Sequence, residues 1–230
     1  MRLGCKSSGH SGKRMGCKMP PPTAGAAADE LNEDEKLHRD VANESYENED
    51  ERKDLGDDGI YQYKAEDSDK RTGVWHNADT QHTVIGHRGT ADLGDVNTDL
   101  FSIKGNIFKG TQRNNPLFKA DLEHFDRTAE KYGGNISVGG HSLGSSRSEN
   151  VSRNRNVRAH GFNTGRGFGF QQIKEKVTCS SSNPPAWCDK MTRHHIRGDP
   201  LSLVDRLSYG KTKVYDSRGL KSHMMSSFYN

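Results

Sequence analysis

The chain has 230 residues, which is enough for one modest domain and a tail, and its formal net charge is +3. Only 30% of the residues are hydrophobic while 28% are charged, and the mean hydropathy is −0.98. So small a charge disfavours nucleic acid as a partner. No run reaches the ~18 apolar residues that span a bilayer, and the basic N-terminus lacks the apolar core of a secretory signal. We therefore expect a soluble protein.

Much of the apolar deficit lies in residues 1–58, which the composition predicts to be a disordered low-complexity tail. Residues 1–28 hold five basic residues and no acidic one, whereas residues 29–58 hold 14 acidic and 4 basic residues. The remaining residues, 59–230, are predicted to form one domain. An acidic tail beside a basic domain is expected either to fold back on it weakly or to keep it in solution.

Strand-like and helix-like segments alternate along the predicted domain. The amphipathic segment that starts at Pro116 is predicted to be a helix, because its apolar residues recur at spacings of 4, 3, 4 and 3. Gly133-Gly134 ends this pattern. Strand–helix–strand alternation predicts right-handed crossovers and a mainly parallel α/β sheet flanked by helices. The predicted strands are Ile60–Tyr63, Val84–Ile85, Ile136–Val138, Val157–Asn163 and Thr212–Tyr215, and a further short helix is predicted over Leu201–Leu207.

The pentapeptide Gly140-His141-Ser142-Leu143-Gly144 directly follows a predicted strand. It has the spacing of a nucleophile elbow, a sharp turn that lifts a serine hydroxyl above the end of a sheet. Glycine two residues to either side of Ser142 removes the clash that a larger side chain would cause in this strained turn. Ser142 is therefore the candidate nucleophile.

Partners for this serine follow later in the chain. A serine nucleophile needs a base and a group that orients the base, and hydrolases with this elbow place them in the order Ser, Asp or Glu, His. Asp199, in Arg197-Gly198-Asp199-Pro200, is the candidate acid. His223, near the C-terminus, is the candidate general base.

The order of the motifs over residues 60–230 resembles that of the class 3 (fungal-type) lipases, and most closely a compact, divergent branch found partly in large viruses and protists. The motifs are a strand followed by Arg88-Gly89-Thr90, the pair Asp99-Leu100, an amphipathic helix, the Gly-His-Ser-Leu-Gly elbow, Gly198-Asp199-Pro200, and a late His-x4-Phe.

The resemblance implies an α/β-hydrolase fold and a serine hydrolase of carboxylic esters, with acyl lipids as the expected substrates and no cofactor or metal. By position it implies a triad of Ser142, Asp199 and His223. It also implies an oxyanion hole formed by Leu143 and Thr90. The glycine-rich segment 101–116 contains several apolar residues and is expected to be either a lid that meets a lipid interface transiently or an ordinary surface loop.

The segment after the elbow departs from the family, in which this helix is apolar. Val151 is the only apolar residue between positions 145 and 156. The sequence therefore predicts a helix that is short, frayed or replaced by a loop. It also leaves open an inactive hydrolase-fold protein kept for interaction or structure. Binding of nucleic acid by basic segments such as 147–158 is the third hypothesis.

The four cysteines do not predict a metal site, because Cys5 and Cys17 lack a standard zinc spacing. Cys179 and Cys188 flank a short loop that a disulfide could close. Two free thiols in a reducing compartment fit the sequence equally well.

Overall fold

A computed structural model describes residues 31–89, 116–164, 170–199, 209–216 and 224–229. Within these ranges one seven-stranded sheet is flanked by four α-helices. The strands are β1 Gln62–Tyr63, β2 Thr72–Asn77, β3 His82–His87, β4 Ile136–His141, β5 Arg158–Phe162, β6 Met191–Ile196 and β7 Lys211–Tyr215. The helices are α1 Glu33–Glu44, α2 Pro116–Tyr132, α3 Leu143–Arg155 and α4 Phe170–Cys179.

The strands lie in the sheet in the order in which they occur in the chain. β1, β2 and β3 pair antiparallel, whereas β3 through β7 are all parallel. This confirms the predicted α/β fold with a mainly parallel sheet. Because the parallel strands follow one another in chain order, right-handed crossovers place α2, α3 and α4 on the same face of the sheet. Helix α1 packs on the opposite face.

Side chains of β4 show the two faces, because successive residues of a strand point to opposite sides. Ile136 and Val138 are buried in one apolar cluster with Val151 of α3. Ser137, which lies between them, instead places its Oγ 2.8 Å from Nε2 of His38 on α1. The sheet is therefore covered by helices on both faces.

Helix α1 corrects the predicted extent of the tail. Its Val41 and Ala42 are fully buried, in apolar clusters with residues of the sheet. Asn32 caps the helix, and its amide and the Glu35 carboxylate form a reciprocal capping box. Disorder is thus the wrong prediction for residues 31–58, and residues 1–30 lie outside the described part of the chain.

The physical reason for this error is the composition of one helix. Acidic residues fill the first turn of α1, where they lower the mean hydropathy but interact favourably with the positive end of the helix dipole. The mean hydropathy of the whole segment therefore did not reveal the narrow apolar stripe through which α1 packs on the sheet. The capping box was the local signal that could have identified the helix.

Helix α3 corrects the second prediction, since the polar segment after the elbow forms 13 helical residues. It is neither short nor replaced by a loop, and its residues 144–152 are all buried. Its polar side chains find partners elsewhere in the fold: Ser145 Oγ lies 2.8 Å from Thr164 Oγ1, Ser148 Oγ lies 2.9 Å from His87 Nδ1, and Arg147 binds Asp121. The helix is buried because these groups are satisfied, not because it is apolar.

The structure also tests the predictions for the remaining helices and strands and for the cysteines. α2 begins at Pro116 and ends before Gly133, as predicted. Strand β2 and helix α4 were not predicted, and the helix expected over 201–207 lies outside the described residues. Cys179 and Cys188 form a disulfide, which decides between the two alternatives. No helix in the described part of the chain is long and apolar enough to cross a membrane.

Candidate active site

Ser142 lies in the sharp turn between β4 and α3 and is 4% exposed. Its backbone has φ 54° and ψ −121°, a combination that costs a non-glycine residue free energy and persists only where its surroundings enforce it. Its N–H donates to the carbonyl of Phe162 at the end of β5, at 3.0 Å. These are the features of a nucleophile elbow.

The two glycines of the pentapeptide are required by close packing. A Cβ atom at Gly144 would overlap the carbonyl oxygen of His87, the last residue of β3. A Cβ atom at Gly140 would overlap the backbone of Gly144 and would lie 2.8 Å from the same carbonyl oxygen. Glycine is therefore required at both positions, as the sequence predicted.

Leu143 is the first residue of α3. The first four N–H groups of a helix have no acceptor inside it, and the helix dipole makes this end positive. An oxyanion that forms beside Ser142 would therefore meet the N-terminus of α3. This is the environment that the predicted role of the Leu143 N–H requires.

Asp199 lies in the turn after β6 and is 2% exposed. Its N–H donates to the carbonyl of Ile196 at 3.1 Å, and Gly198 makes the turn with φ +91°. Because β4 and β6 are both neighbours of β5 and parallel to it, Ser142 and Asp199 follow strand ends at one edge of the sheet. Two strand spacings separate these ends by about 10 Å, which leaves room for an imidazole between the side chains.

Gly89 brings the loop after β3 against the elbow. A Cβ atom there would overlap Oη of Tyr46 and would lie 2.7 Å from the carbonyl oxygen of His141. Tyr46 Oη is also 2.9 Å from Nδ1 of His141, the residue before Ser142. Burial raises the pKa of the Tyr46 phenol, which keeps it protonated and able to donate a hydrogen bond.

Tyr46 was missed from the sequence because it falls in the segment predicted to be a tail. It links the elbow to the backbone of Gly89, the residue before the predicted oxyanion-hole residue Thr90. No pattern in the sequence points to this contact, since Tyr46 and His141 are separated by 95 positions.

The last described segment packs at the same edge of the sheet. Met225 and Phe228 share an apolar cluster with Phe162 and Ile196, the last residues of β5 and β6. The chain two residues beyond His223 therefore lies beside the ends of β5 and β6. The end of β5 accepts the N–H of Ser142, and β6 precedes Asp199.

The structure thus brings three of the five predicted site residues, Ser142, Leu143 and Asp199, to one edge of the sheet. Thr90 and His223 lie outside the described residues, as do residues 101–115 of the segment 101–116 that was predicted to be a lid or a loop.

The fold is similar to that of Lip2 lipase from Yarrowia lipolytica, with a TM-score of 0.50, 17% sequence identity and coverage of 77% of each chain. A triacylglycerol lipase from Penicillium expansum matches with a TM-score of 0.42 and 14% identity, over 82% of this chain and 80% of that one. No family model and no curated protein matches the sequence. At such identities, the likeness to Lip2 lipase establishes the lipase-like α/β-hydrolase fold, and the chemistry has to be argued from the residues.

Proposed function

We propose that this protein is a serine hydrolase that cleaves carboxylic esters, with acyl lipids as its substrates. The observation that carries the proposal is the backbone of Ser142, which is strained at the end of a central parallel strand and directly precedes a helix N-terminus. Strain of this kind is retained where a function depends on it. If this turn had no catalytic role, a glycine in place of Ser142 would relieve the backbone strain.

In the proposed reaction, Ser142 Oγ attacks the ester carbonyl carbon while His223 accepts the hydroxyl proton. Asp199 holds the imidazole in the required tautomer and stabilises its charged form. His223 then gives the proton to the leaving alcohol as the carbon–oxygen bond breaks, which leaves an acyl-enzyme. Water attacks this ester with His223 again as base, and the acid leaves as Ser142 recovers its proton.

The tetrahedral intermediates carry a negative charge on the former carbonyl oxygen. We assign its stabilisation to the N–H of Leu143 and to Thr90, whose neighbour Gly89 packs against the elbow. Loss of one such donor typically raises the barrier by about 3–4 kcal/mol. The N-terminus of α3 adds the positive end of its dipole at the same point.

The choice of acyl lipids rests on the motif order and on the lipase-like fold. Segment 101–116 contains Phe101, Ile103, Ile107 and Phe108, and we propose that it contacts the acyl chain or a lipid surface. Chain-length preference distinguishes this from an esterase that acts on small dissolved substrates.

Labelling with a fluorophosphonate probe tests the nucleophile. Wild-type protein should be labelled at one site, and Ser142→Ala should abolish the labelling. Ser182→Ala, in an exposed turn, is the matched control and should be labelled like the wild type. Hydrolysis of p-nitrophenyl esters of short and long acyl chains then measures the substrate preference.

Asp199→Asn should retain the fold but reduce kcat by about 10³- to 10⁴-fold, since the imidazole loses its orienting carboxylate. Absence of labelling in wild-type protein that melts cooperatively would contradict the proposal. That result would favour a hydrolase fold that serves as a binding scaffold.

A further inference from the structure

A second group of reactive side chains lies under α1, on the face of the sheet opposite α3. It consists of Asp34 and His38 from α1, His160 from β5 and His194 from β6, here called the histidine cluster. The three histidines are at most 4% exposed. The rings of His38 and His160 are 4.3 Å apart, and Nδ1 of His160 is 3.1 Å from Nε2 of His194. The proposed ester hydrolysis uses none of these groups.

We propose that Asp34, His38 and His160 bind one divalent transition-metal ion, with Zn²⁺ as the preferred ion. The candidate ligand atoms of these residues all lie within 4.8 Å of one another. Nδ1 of His38 is 3.5 Å from Oδ1 of Asp34, and Nε2 of His160 is 3.2 Å from Oδ2 of the same carboxylate. Ligands at about 2.0–2.1 Å in a tetrahedron around Zn²⁺ are about 3.3 Å apart, so little movement is needed.

Secondary structure supplies this arrangement. Asp34 and His38 are four residues apart on α1, so their side chains lie on one face of the helix, one turn apart. His160 is in β5, which contacts that face of the helix. Two nitrogen ligands and one carboxylate leave a fourth position of a tetrahedral ion for water.

Both histidine ligands already have the outer hydrogen-bond partners that metal sites require. When His38 binds through Nδ1, its Nε2–H can donate to Ser137 Oγ, which is 2.8 Å away. When His160 binds through Nε2, its Nδ1–H can donate to Nε2 of His194. His194 in turn has the hydroxyl of Tyr215 2.9 Å from its Nδ1.

Binding through Nδ1 requires His38 to give up one hydrogen bond. In the absence of metal its Nδ1 is 2.7 Å from the carbonyl oxygen of Asp34, to which it donates. Binding therefore moves this proton to Nε2, where Ser137 accepts it, and the ring releases no net proton.

Charges around the cluster select the carboxylate ligand and limit the affinity. Glu35 also lies near His160 and His194, but its Oε1 is 3.0 Å from Lys213 Nζ and its Oε2 accepts the N–H of Asn32 at 3.0 Å. Asp34 has a paired oxygen too, because Arg158 Nη2 is 3.0 Å from its Oδ1. Its Oδ2 faces His160, so Asp34 remains the better ligand.

The positive charge of the Arg158 guanidinium should weaken cation binding by repulsion. Its removal should therefore have the opposite effect on affinity from removal of a ligand. Substitutions of the ligands should weaken binding, whereas Arg158→Gln should strengthen it several-fold. Asp34 is one-third exposed, which provides a path for the ion from solvent.

The test uses the full chain without a purification tag, stripped with a chelator and then titrated with ZnCl₂. We expect one bound Zn²⁺ per chain by calorimetry and elemental analysis. At a free concentration 100 times the Kd, Tm should rise by about 5–10 °C, because the ion bridges α1 to the sheet. Catalytic activity is not needed for either measurement, so the result is independent of the proposed hydrolase function.

His38→Gln and His160→Gln should each lower the affinity by about 100-fold or more. His76→Gln is the matched control and should leave the affinity unchanged. This buried histidine lies outside the histidine cluster, and its Nδ1 is 2.9 Å from Oγ1 of Thr83. Co²⁺ substitution provides a readout that needs no variant. Ligation by nitrogen and oxygen should give a visible spectrum without thiolate charge transfer.

Three outcomes would overturn the proposal. One is the absence of saturable Zn²⁺ binding by the stripped wild-type chain. Another is unchanged binding in folded His160→Gln protein. The third is thiolate charge transfer that disappears in a Cys5→Ser/Cys17→Ser variant, which would assign the ion to the N-terminal cysteines.

Discussion

Replacement of Arg147 should strongly destabilise the structure that holds the elbow. Arg147 is on α3, five residues after Ser142, and its side chain is 3% exposed. The guanidinium donates to both carboxylate oxygens of Asp121 on α2, at 2.5–3.2 Å. It also donates to the carbonyl oxygens of Arg71 at 2.7 Å and Arg88 at 3.0 Å.

The magnitude follows from what Arg147→Met leaves behind. The Asp121 side chain is 2% exposed, so its charge would be buried without a partner, which typically costs 3–5 kcal/mol. The two carbonyl groups would lose their donor, at about 1 kcal/mol each. We therefore expect a loss of about 5–7 kcal/mol, a large part of the 5–15 kcal/mol by which domains are usually stable.

Urea denaturation followed by circular dichroism measures this loss. With a slope of about 2 kcal/mol per molar, the midpoint should fall by about 2.5–3.5 M. The double variant Arg147→Met/Asp121→Leu removes both charges and should recover at least about half of the lost stability. Arg155→Met is the matched control, because its pair with Asp126 is largely exposed and should be worth less than about 1 kcal/mol.

Two results would refute this reasoning. A single variant that unfolds within about 1 kcal/mol of the wild type would mean that the buried pair contributes little. A double variant no more stable than the single variant would mean that the loss arises from packing rather than from the unpaired carboxylate.

Two further predictions concern pH and the disulfide. Burial, with help from the charge of Arg147, holds the pKa of His87 well below 6.5, so the unfolded state alone binds a proton here as the pH falls below 6.5. Stability should therefore decrease below pH 6.5, and His87→Gln should reduce the slope by up to about 1.4 kcal/mol per pH unit in urea titrations at pH 5–6.5; an unchanged slope would contradict the assignment. Cys179→Ser/Cys188→Ser should cost about 2–3 kcal/mol, because the disulfide closes a loop with a sequence separation of nine. Reductant should lower the Tm of the wild type towards that of the variant, and equal Tm values in all three samples would show that the bond adds no stability.

Local patterns in the sequence predicted much of the fold correctly. The apolar spacing of α2, the strand before the elbow and the glycines around Ser142 are features of short segments, and the structure contains each of them. Strand–helix alternation then limited the topology to a mainly parallel sheet. The positions of Ser142 and Asp199 at one sheet edge follow from that topology.

The errors came from averaging composition over a segment. A segment rich in acidic residues contains α1, whose apolar stripe is narrow. The polar segment after the elbow is a helix whose residues 144–152 are buried. Tyr46 and His38 were missed for the same reason, since both belong to the segment that was assigned to a tail.

The sequence by itself determined the elbow, the strand–helix alternation and the order of the candidate triad residues, because each depends on neighbours within a few positions. Only the tertiary structure decided that α3 is buried and that four ionisable groups meet under α1. Arg147 and Asp121 are 26 positions apart, and His38 and Ser137 are 99 apart. A polar side chain is tolerated in a core only when folding brings a hydrogen-bond partner to it. A partner that is distant in the sequence cannot be identified from a local pattern.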